Sequence, residues 1–375
     1  MRVAFFDDRF LEVYGAQENV LLLAEMAKAN GHDVLFVTTA EGLLSNAARQ
    51  RGLEVLVSNA PARLKVFEKG AIRGGLAKTL LTAKDTARYS FELHEELSAW
   101  NVEVLVAAAV RPALMMLRSR LAPNIKTVLF AQNSTPFGLF AAASLPGIDV
   151  LAPISSGALT TFPDWSVRFA KSQALLPSGR DLDRFSDDIQ RNADERLRIV
   201  SVGSLTERKG FHVLLDVIAS MKDDYEISLD IVGGPSSGPD SQAYASMLED
   251  RVRSEGLPVT LHGWQDEVVP YFRAANVFAL ASENEGLPGV IIEAMACGLP
   301  IVTTDAGGCR DAVIEAESGY VVPIGDRDAL ADRLSKLSDG SRRTEMGQRS
   351  RERAVGEYSI QAFADRFETI LDGIS

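Results

Sequence analysis

The chain has 375 residues, 46% hydrophobic and 24% charged. At about 150 residues per domain that is a two-domain protein of ordinary globular composition, and a disordered chain is excluded. The net charge of −12 argues against a general nucleic-acid binder, because such a field repels phosphate backbones. Two cysteines (Cys297, Cys309) and four scattered histidines (His32, His94, His212, His262) leave no disulfide framework and no metal-ligand spacing.

In chain order, the first apolar run, Arg2–Phe6, meets Asp7-Asp8 at once and is too short for a signal-peptide core. With Asp33–Val37, Val102–Ala107 and Thr127–Ala131 it forms a series rich in Val, Leu and Phe without strict alternation, the pattern of strands buried on both faces. Helical patterns over Gln17–Ala29 and Leu76–Leu97 separate these runs, which predicts a parallel sheet with right-handed crossovers. His32, just past the first helix, reads as a cap or core contact.

A polar stretch, Asp181–Glu195, reads as a linker. A second series follows, with strands at Leu197–Val202, Ile227–Val232, Val259–His262, Val277–Ala281 and Pro300–Thr304. Its helices fall at Phe211–Met221, Gln242–Ser254, Glu267–Ala274 and Gly289–Cys297, and Trp264, Phe272 and Phe278 read as core aromatics. Phe363, Phe367 and Ile370 make Ser359–Leu371 an amphipathic helix.

The expected fold class is α/β: two Rossmann-like, doubly wound domains, 1–185 and 196–355, with a ligand cleft at the carboxyl ends of their strands. No run approaches the about 18–20 apolar residues of a membrane span, so a cytoplasmic protein is expected. Residues 61–90 hold seven basic and two acidic residues. That stretch is either a solvated face or a contact with an anionic membrane surface or a phosphorylated lipid.

The densest chemistry lies in Ser282–Gly298. Gly286 and Gly289 let backbone approach a ligand, and Pro288 suits the first helical position. Free N–H groups there, with the helix dipole, form an anion site. Glu285 stands before that site and Glu293 about one turn into the helix; a carboxylate accepts two hydroxyl hydrogen bonds at once, as a sugar diol requires. In the second anchor, Val202–Gly210, Arg208 and Lys209 suit a diphosphate and can stabilise a departing phosphate without a metal. It is not a Walker loop, since no Ser or Thr follows Lys209.

Taken in order, Gly203…Lys209-Gly210, Ile231-Val232-Gly233-Gly234, His262-Gly263 and the pair Glu285 and Glu293 resemble the family-4 retaining glycosyltransferases of the GT-B fold, the glycosyl transferases group 1. Tyr14-Gly15-Ala16-Gln17, Gly31-His32-Asp33-Val34, Leu176–Asp181, Gly307–Asp311 and Gly319–Val322 extend the resemblance over nearly the whole chain. It implies a nucleotide-diphosphate sugar, UDP- or GDP-linked, as donor, and a saccharide or lipid-linked acceptor. No nucleic acid, metal or other cofactor is implied. The implied roles are Glu293 on the ribose hydroxyls, Glu285 on the donor sugar, and Arg208 and Lys209 on the diphosphate. Backbone from Gly286 to Gly289, including Leu287 and Pro288, would help hold the phosphates. His262, Gly263 and Trp264 would hold the base, Gly15 would close over the diphosphate, and Gln132 and Asn133 would face the sugar or acceptor. The implied reaction is transfer with retention, the leaving phosphate taking the acceptor proton, in cell-surface polysaccharide or glycolipid assembly.

Four departures stand out: Ser204 where an arginine is usual, Tyr14 for the first glycine of a pair, Gln132 near a usual histidine, and Arg180 for an apolar residue. Ser204 and Gln132 leave open a non-catalytic sugar-binding subunit, and an epimerase or hydrolase of the same fold is a further alternative. Gly234–Gly238 matches the serine-hydrolase elbow, but Pro239-Asp240-Ser241 is expected to extend the loop where that motif needs a helix. Asp181-Leu182-Asp183 has a metal-binding spacing but sits in the linker, and the segment after Phe6 lacks the glycines of a nicotinamide site.

Overall fold

Strand β1 (Arg2–Asp7) buries five of its six residues, as its unbroken Val-Ala-Phe-Phe run demands of a strand covered on both faces. In the computed structural model, which describes residues 1–11, 13, 15–65, 75–132, 138–185, 196–236 and 238–374 (backbone alone over 75–80), β1 is central to a seven-stranded sheet. The others are β2 (Asp33–Thr38), β3 (Glu54–Val57), β4 (Val104–Ala107), β5 (Lys126–Ala131), β6 (Val150–Pro153) and β7 (Ser172–Gln173). Their order is β3-β2-β1-β4-β5-β6-β7, every pair parallel, with β1 flanked by β2 and β4. Parallel neighbours need crossovers, and helices such as Gly15–Ala29 and Gly75–Ala99 supply them.

This first unit comprises Met1–Ser178 and Phe363–Ser375. The terminal helix Ile360–Ile374 sets Phe367 against Phe5 (ring centroids 5.7 Å) and Phe363 against Phe130 (6.1 Å). Its Glu368 accepts from Asn30 Nδ2 at 2.9 Å and lies 2.8 Å from His32 Nε2, so His32, half-buried after the first helix, makes a polar contact with the terminal helix and not a core one.

The second unit, Gly179–Ala362, holds β8 (Leu197–Val202), β9 (Ile227–Val232), β10 (Val259–Leu261), β11 (Val277–Leu280), β12 (Ile301–Thr304) and β13 (Gly319–Val322). They run β10-β9-β8-β11-β12-β13, again all parallel. The strand order reverses at β8 and β11, and in such sheets the crevice outside the carboxyl ends at that switch is where ligands bind. Phe211, Phe272 and Phe278 are fully buried.

Several expectations need correction. Trp264 is not core: it is 75% exposed. Pro239-Asp240-Ser241 does not extend a loop, because a helix runs from Pro239 to Ser254, with Pro239 where its missing N–H costs nothing. Pro288 is the residue capping the helix Gly289–Ala296, not its first turn, and Cys297 lies just past the end, where Gly298 turns left-handed (φ 69°). The helix expected from Glu267 begins at Val269, because the Glu267 carboxylate accepts the Val269 N–H (3.1 Å).

Candidate functional site

The loop leaving β8 carries Ser204, Arg208 and Lys209, and the loop leaving β11 carries Glu283 to Gly289. Backbone geometry draws them together. Gly210 is left-handed (φ 68°), and a Cβ there would stand 2.0 Å from the Ala281 carbonyl oxygen, so only glycine lets the first loop lie on the second. Glu283 N donates to Arg208 O at 2.9 Å, and the Arg208 guanidinium donates to Asn284 O. At the centre, Lys209 Nζ donates to Glu285 Oε1 at 2.6 Å, with Arg208 Nη1 3.4 Å from the same oxygen. The Lys209 and Glu285 side chains are only 12% and 10% exposed, whereas Arg208 is 49% exposed. A close, sheltered ion pair thus carries a second, solvent-facing cation.

A third loop fixes Glu285 from behind, and the sequence had marked it only as part of the resemblance. Gly307 (φ 58°) lies so near that a Cβ would sit 1.9 Å from Glu285 O, and Gly308 N donates to that oxygen at 3.2 Å. Cys309 follows, buried, its thiol pushed up to about 12 by burial and therefore neutral. Ser204, half-buried, belongs to the same loop as the two cations.

The helix Gly289–Ala296 starts beside this pair. Leu287 is buried and Glu293 stands one turn in. Burial pushes the Glu293 carboxyl above its ordinary range; the charges of Arg180 and Arg184 pull it back, and Glu267 opposes them. The space that a Cβ on Gly289 would fill is taken by Arg180, with Nη2 at 2.6 Å and Nε at 2.8 Å. Arg180 is thus a neighbour of the candidate site that sequence reasoning had left without a role.

The end of β10 supplies His262, Gly263 and Trp264. Gly233 N donates to Gly263 O (2.9 Å), and Gly203 N to Val232 O (3.0 Å), lacing this end to the β8 loop. The His262 ring is 2.7 Å from Asp230 Oδ1 and 4.7 Å, centroid to centroid, from Tyr271. Asp230 and Tyr271 escaped notice because they lie on other elements. The His262–Asp230 bond also ties up the one histidine that follows the hydrolase-like Gly234–Gly238.

The remaining candidates belong to the first unit. Gly15 opens the helix Gly15–Ala29, with open space where a Cβ would stand. Gln132 is buried; its Oε1 accepts from Asn19 Nδ2 (2.9 Å) and its Nε2 donates to Ala108 O (3.3 Å), so its amide is engaged within its own unit. Asn133 and Tyr14 lie outside the described residues, as does much of the basic stretch 61–90 (66–74, and the side chains of 75–80). Among the described residues, no cluster of three or more His, Cys, Asp or Glu could hold a metal ion, and no helix is long and apolar enough to cross a membrane.

Residues 183–353 match the family model described as glycosyl transferases group 1, so the family resemblance read from the sequence holds for that segment. The lipopolysaccharide core biosynthesis glycosyltransferase LpsE of Rhizobium meliloti is 32% identical over 174 residues, covering 46% of this chain and 49% of that protein. The D-inositol 3-phosphate glycosyltransferase of Corynebacterium urealyticum is 32% identical over 193 residues, 47% of this chain and 45% of that one. The chain thus spans about half the length of the curated relatives it matches. Over the full chain, the structure of Anabaena Alr3699/HepE in complex with UDP superposes with a TM-score of 0.77 at 17% identity, covering 100% of both chains. The sucrose-phosphate synthase of Thermosynechococcus elongatus does so with 0.75 at 20% identity, covering 100% of this chain and 98% of that one. The fold is that of the GT-B glycosyltransferases, two Rossmann-like α/β domains.

Proposed function

We propose that the protein is a retaining, metal-independent glycosyltransferase that moves a hexosyl unit from a nucleotide-diphosphate sugar to a hydroxyl acceptor, in the assembly of a cell-surface polysaccharide or glycolipid. The observation that carries this reading is the meeting of Lys209, Arg208 and Glu285 at the carboxyl-end switch of the second sheet. Lys209 and Arg208 neutralise the diphosphate and stabilise the charge that grows on it as the anomeric bond breaks. Glu285 aligns the two cations before donor arrives and accepts hydroxyl hydrogen bonds from the sugar. Glu293 accepts the ribose diol. The donor anomeric carbon loses its bond to the diphosphate oxygen and gains one to the acceptor oxygen on the same face. The acceptor proton passes to the departing phosphate, so no separate side-chain base is needed.

A UDP-linked donor is the first choice, since Anabaena HepE, of the same fold, was solved with UDP; a GDP-linked donor is the second. The acceptor, a saccharide or a lipid-linked one, is assigned to the first unit, and the basic stretch 61–90 is assigned contact with an anionic membrane. Melting curves against UDP- and GDP-sugars test the donor, because specific binding raises the melting temperature by mass action. A shift with one nucleotide series, turnover unchanged by EDTA and an α-linked product from an α-linked donor are expected. Donor consumption at the same rate without any acceptor would favour a hydrolase or epimerase instead.

A further inference from the structure

Gly289 opens the helix that carries Glu293, and the volume its absent side chain leaves is filled by this chain itself. An ideal Cβ there would lie 2.6 Å from Nη2, 2.8 Å from Nε and 3.1 Å from Cζ of Arg180. The guanidinium is held there by its own backbone: Arg180 N donates to Tyr358 O at 2.8 Å, Arg180 bridges to Ser359, and its Nη1 donates to Gly179 O at 2.9 Å. A cation at the positive end of a helix is electrostatically misplaced unless an anion shares the spot. The helix provides one. Residues four apart share a face, so Glu293 stands on the same face of the helix as Gly289, and the Arg180 charge acts on its carboxyl across space.

We propose that Arg180 is a positioning residue for the nucleotide's ribose: seated in the space that Gly289 leaves, it keeps the Glu293 carboxylate charged and aimed at the sugar diol. A carboxylate has lone pairs for a guanidinium and two hydroxyls together. The charged groups that face Glu293 are Arg180, Arg184 and Glu267. Arg184 Nη2 is already engaged by both Glu267 oxygens (3.1 and 2.9 Å), so those two largely offset each other. Gly289 is then required by Arg180 and not by a ligand's approach, and the arginine that departs from the family pattern has a task.

The inference rests on the donor-site reading. Its test is the affinity of the full chain for UDP-glucose and GDP-glucose between pH 5 and 8.5, diesters whose phosphates do not titrate there. Parent affinity falls as pH drops through the Glu293 ionisation. In Arg180→Gln that fall moves to higher pH by one unit or more, making binding at least about fivefold weaker at the parent's midpoint, while Arg180→Lys restores the parent profile. Gly289→Ala lowers the melting temperature in the parent but less in the Arg180→Gln background, where the methyl no longer meets the guanidinium. Coincident pH profiles for parent and Arg180→Gln, with binding intact, overturn the role of Arg180 and leave the donor site standing. No binding of either sugar nucleotide by the parent at any pH overturns both.

Discussion

At the carboxyl end of β1 the polar side chains turn inward, whereas at the carboxyl end of β8 they turn outward, although the first six strands of one sheet follow the same order as the six of the other. In the first unit Asp7 and Asp8 are buried. Gln17 Nε2 donates to Asp7 (3.3 Å), Arg111 Nε lies 2.9 Å from Asp8 Oδ2, and Gln132 is locked between Asn19 and Ala108. In the second unit two cations converge on Glu285, and one of them, Arg208, stays half exposed. One switch point consumes its polar groups in its own architecture; the other keeps charge available for something arriving from solvent. A shared topology therefore fixes where a site can be, while exposure and pairing decide whether chemistry is done there.

The largest expected effect breaks the second switch point. Lys209→Ala should lower turnover about 10²–10³-fold, the scale for removing one preorganised stabilising donor, and should also lower the melting temperature, because the sheltered Glu285 carboxylate loses its closest partner. A turnover loss under tenfold would place the catalytic charge elsewhere.

The first switch point is broken through Asp8, which burial raises from 3.8 to about 6. Between those values the folded chain holds a proton that the unfolded chain has released. Stability from this group is thus full below pH 4 and is lost as pH rises through 6, by about 3 kcal/mol. Asp8→Asn should flatten that part of the profile, read as the difference between the two proteins in hydrogen exchange at β1 amides from pH 4 to 7. Parallel profiles would show that Asp8 is not held as the structure places it.

Gly210→Ala sharpens the comparison from the backbone side. The methyl would run into Ala281 O, costing about 1–3 kcal/mol and loosening donor binding along with stability. A change in melting temperature with unaltered binding would show that the two loops need not touch. The smallest effect is expected at Trp264, whose exposure limits the stability change on truncation to about 0.5 kcal/mol. A larger drop in melting temperature would return it to the core.

Legibility followed the same division. Segments with a rich Val, Ile and Leu signature such as Leu197–Val202 and Ile227–Val232 gave strands with the bounds expected, because most of their apolar side chains are buried and only Arg198, Ser201, Ser228 and Asp230 interrupt them. The strands that escaped were short or poor in that signature. Glu54–Val57 is only partly buried, Ser172–Gln173 has two exposed residues, Val150–Pro153 ends in Ala-Pro, and Gly319–Val322 opens with a glycine pressed beneath the Ile301 carbonyl. In the site, Arg208, Lys209 and Glu285 were readable because each lies in a loop whose letters announce it. Arg180 was not, since its meaning depends on the empty volume at Gly289, more than a hundred positions away. Gly307 stood in the sequence only as part of the resemblance, and its backbone task was hidden for the same reason: the left-handed conformation is needed because Glu285 lies against it.

The most direct test of the donor site is calorimetric titration of UDP-glucose and GDP-glucose into the parent, Lys209→Ala and Glu293→Ala. Each substitution should weaken binding of the preferred nucleotide sugar by about 1.5–3 kcal/mol, roughly ten- to a hundredfold, with the fold intact. Undiminished affinity in either variant would contradict a donor held by the loops after β8 and β11.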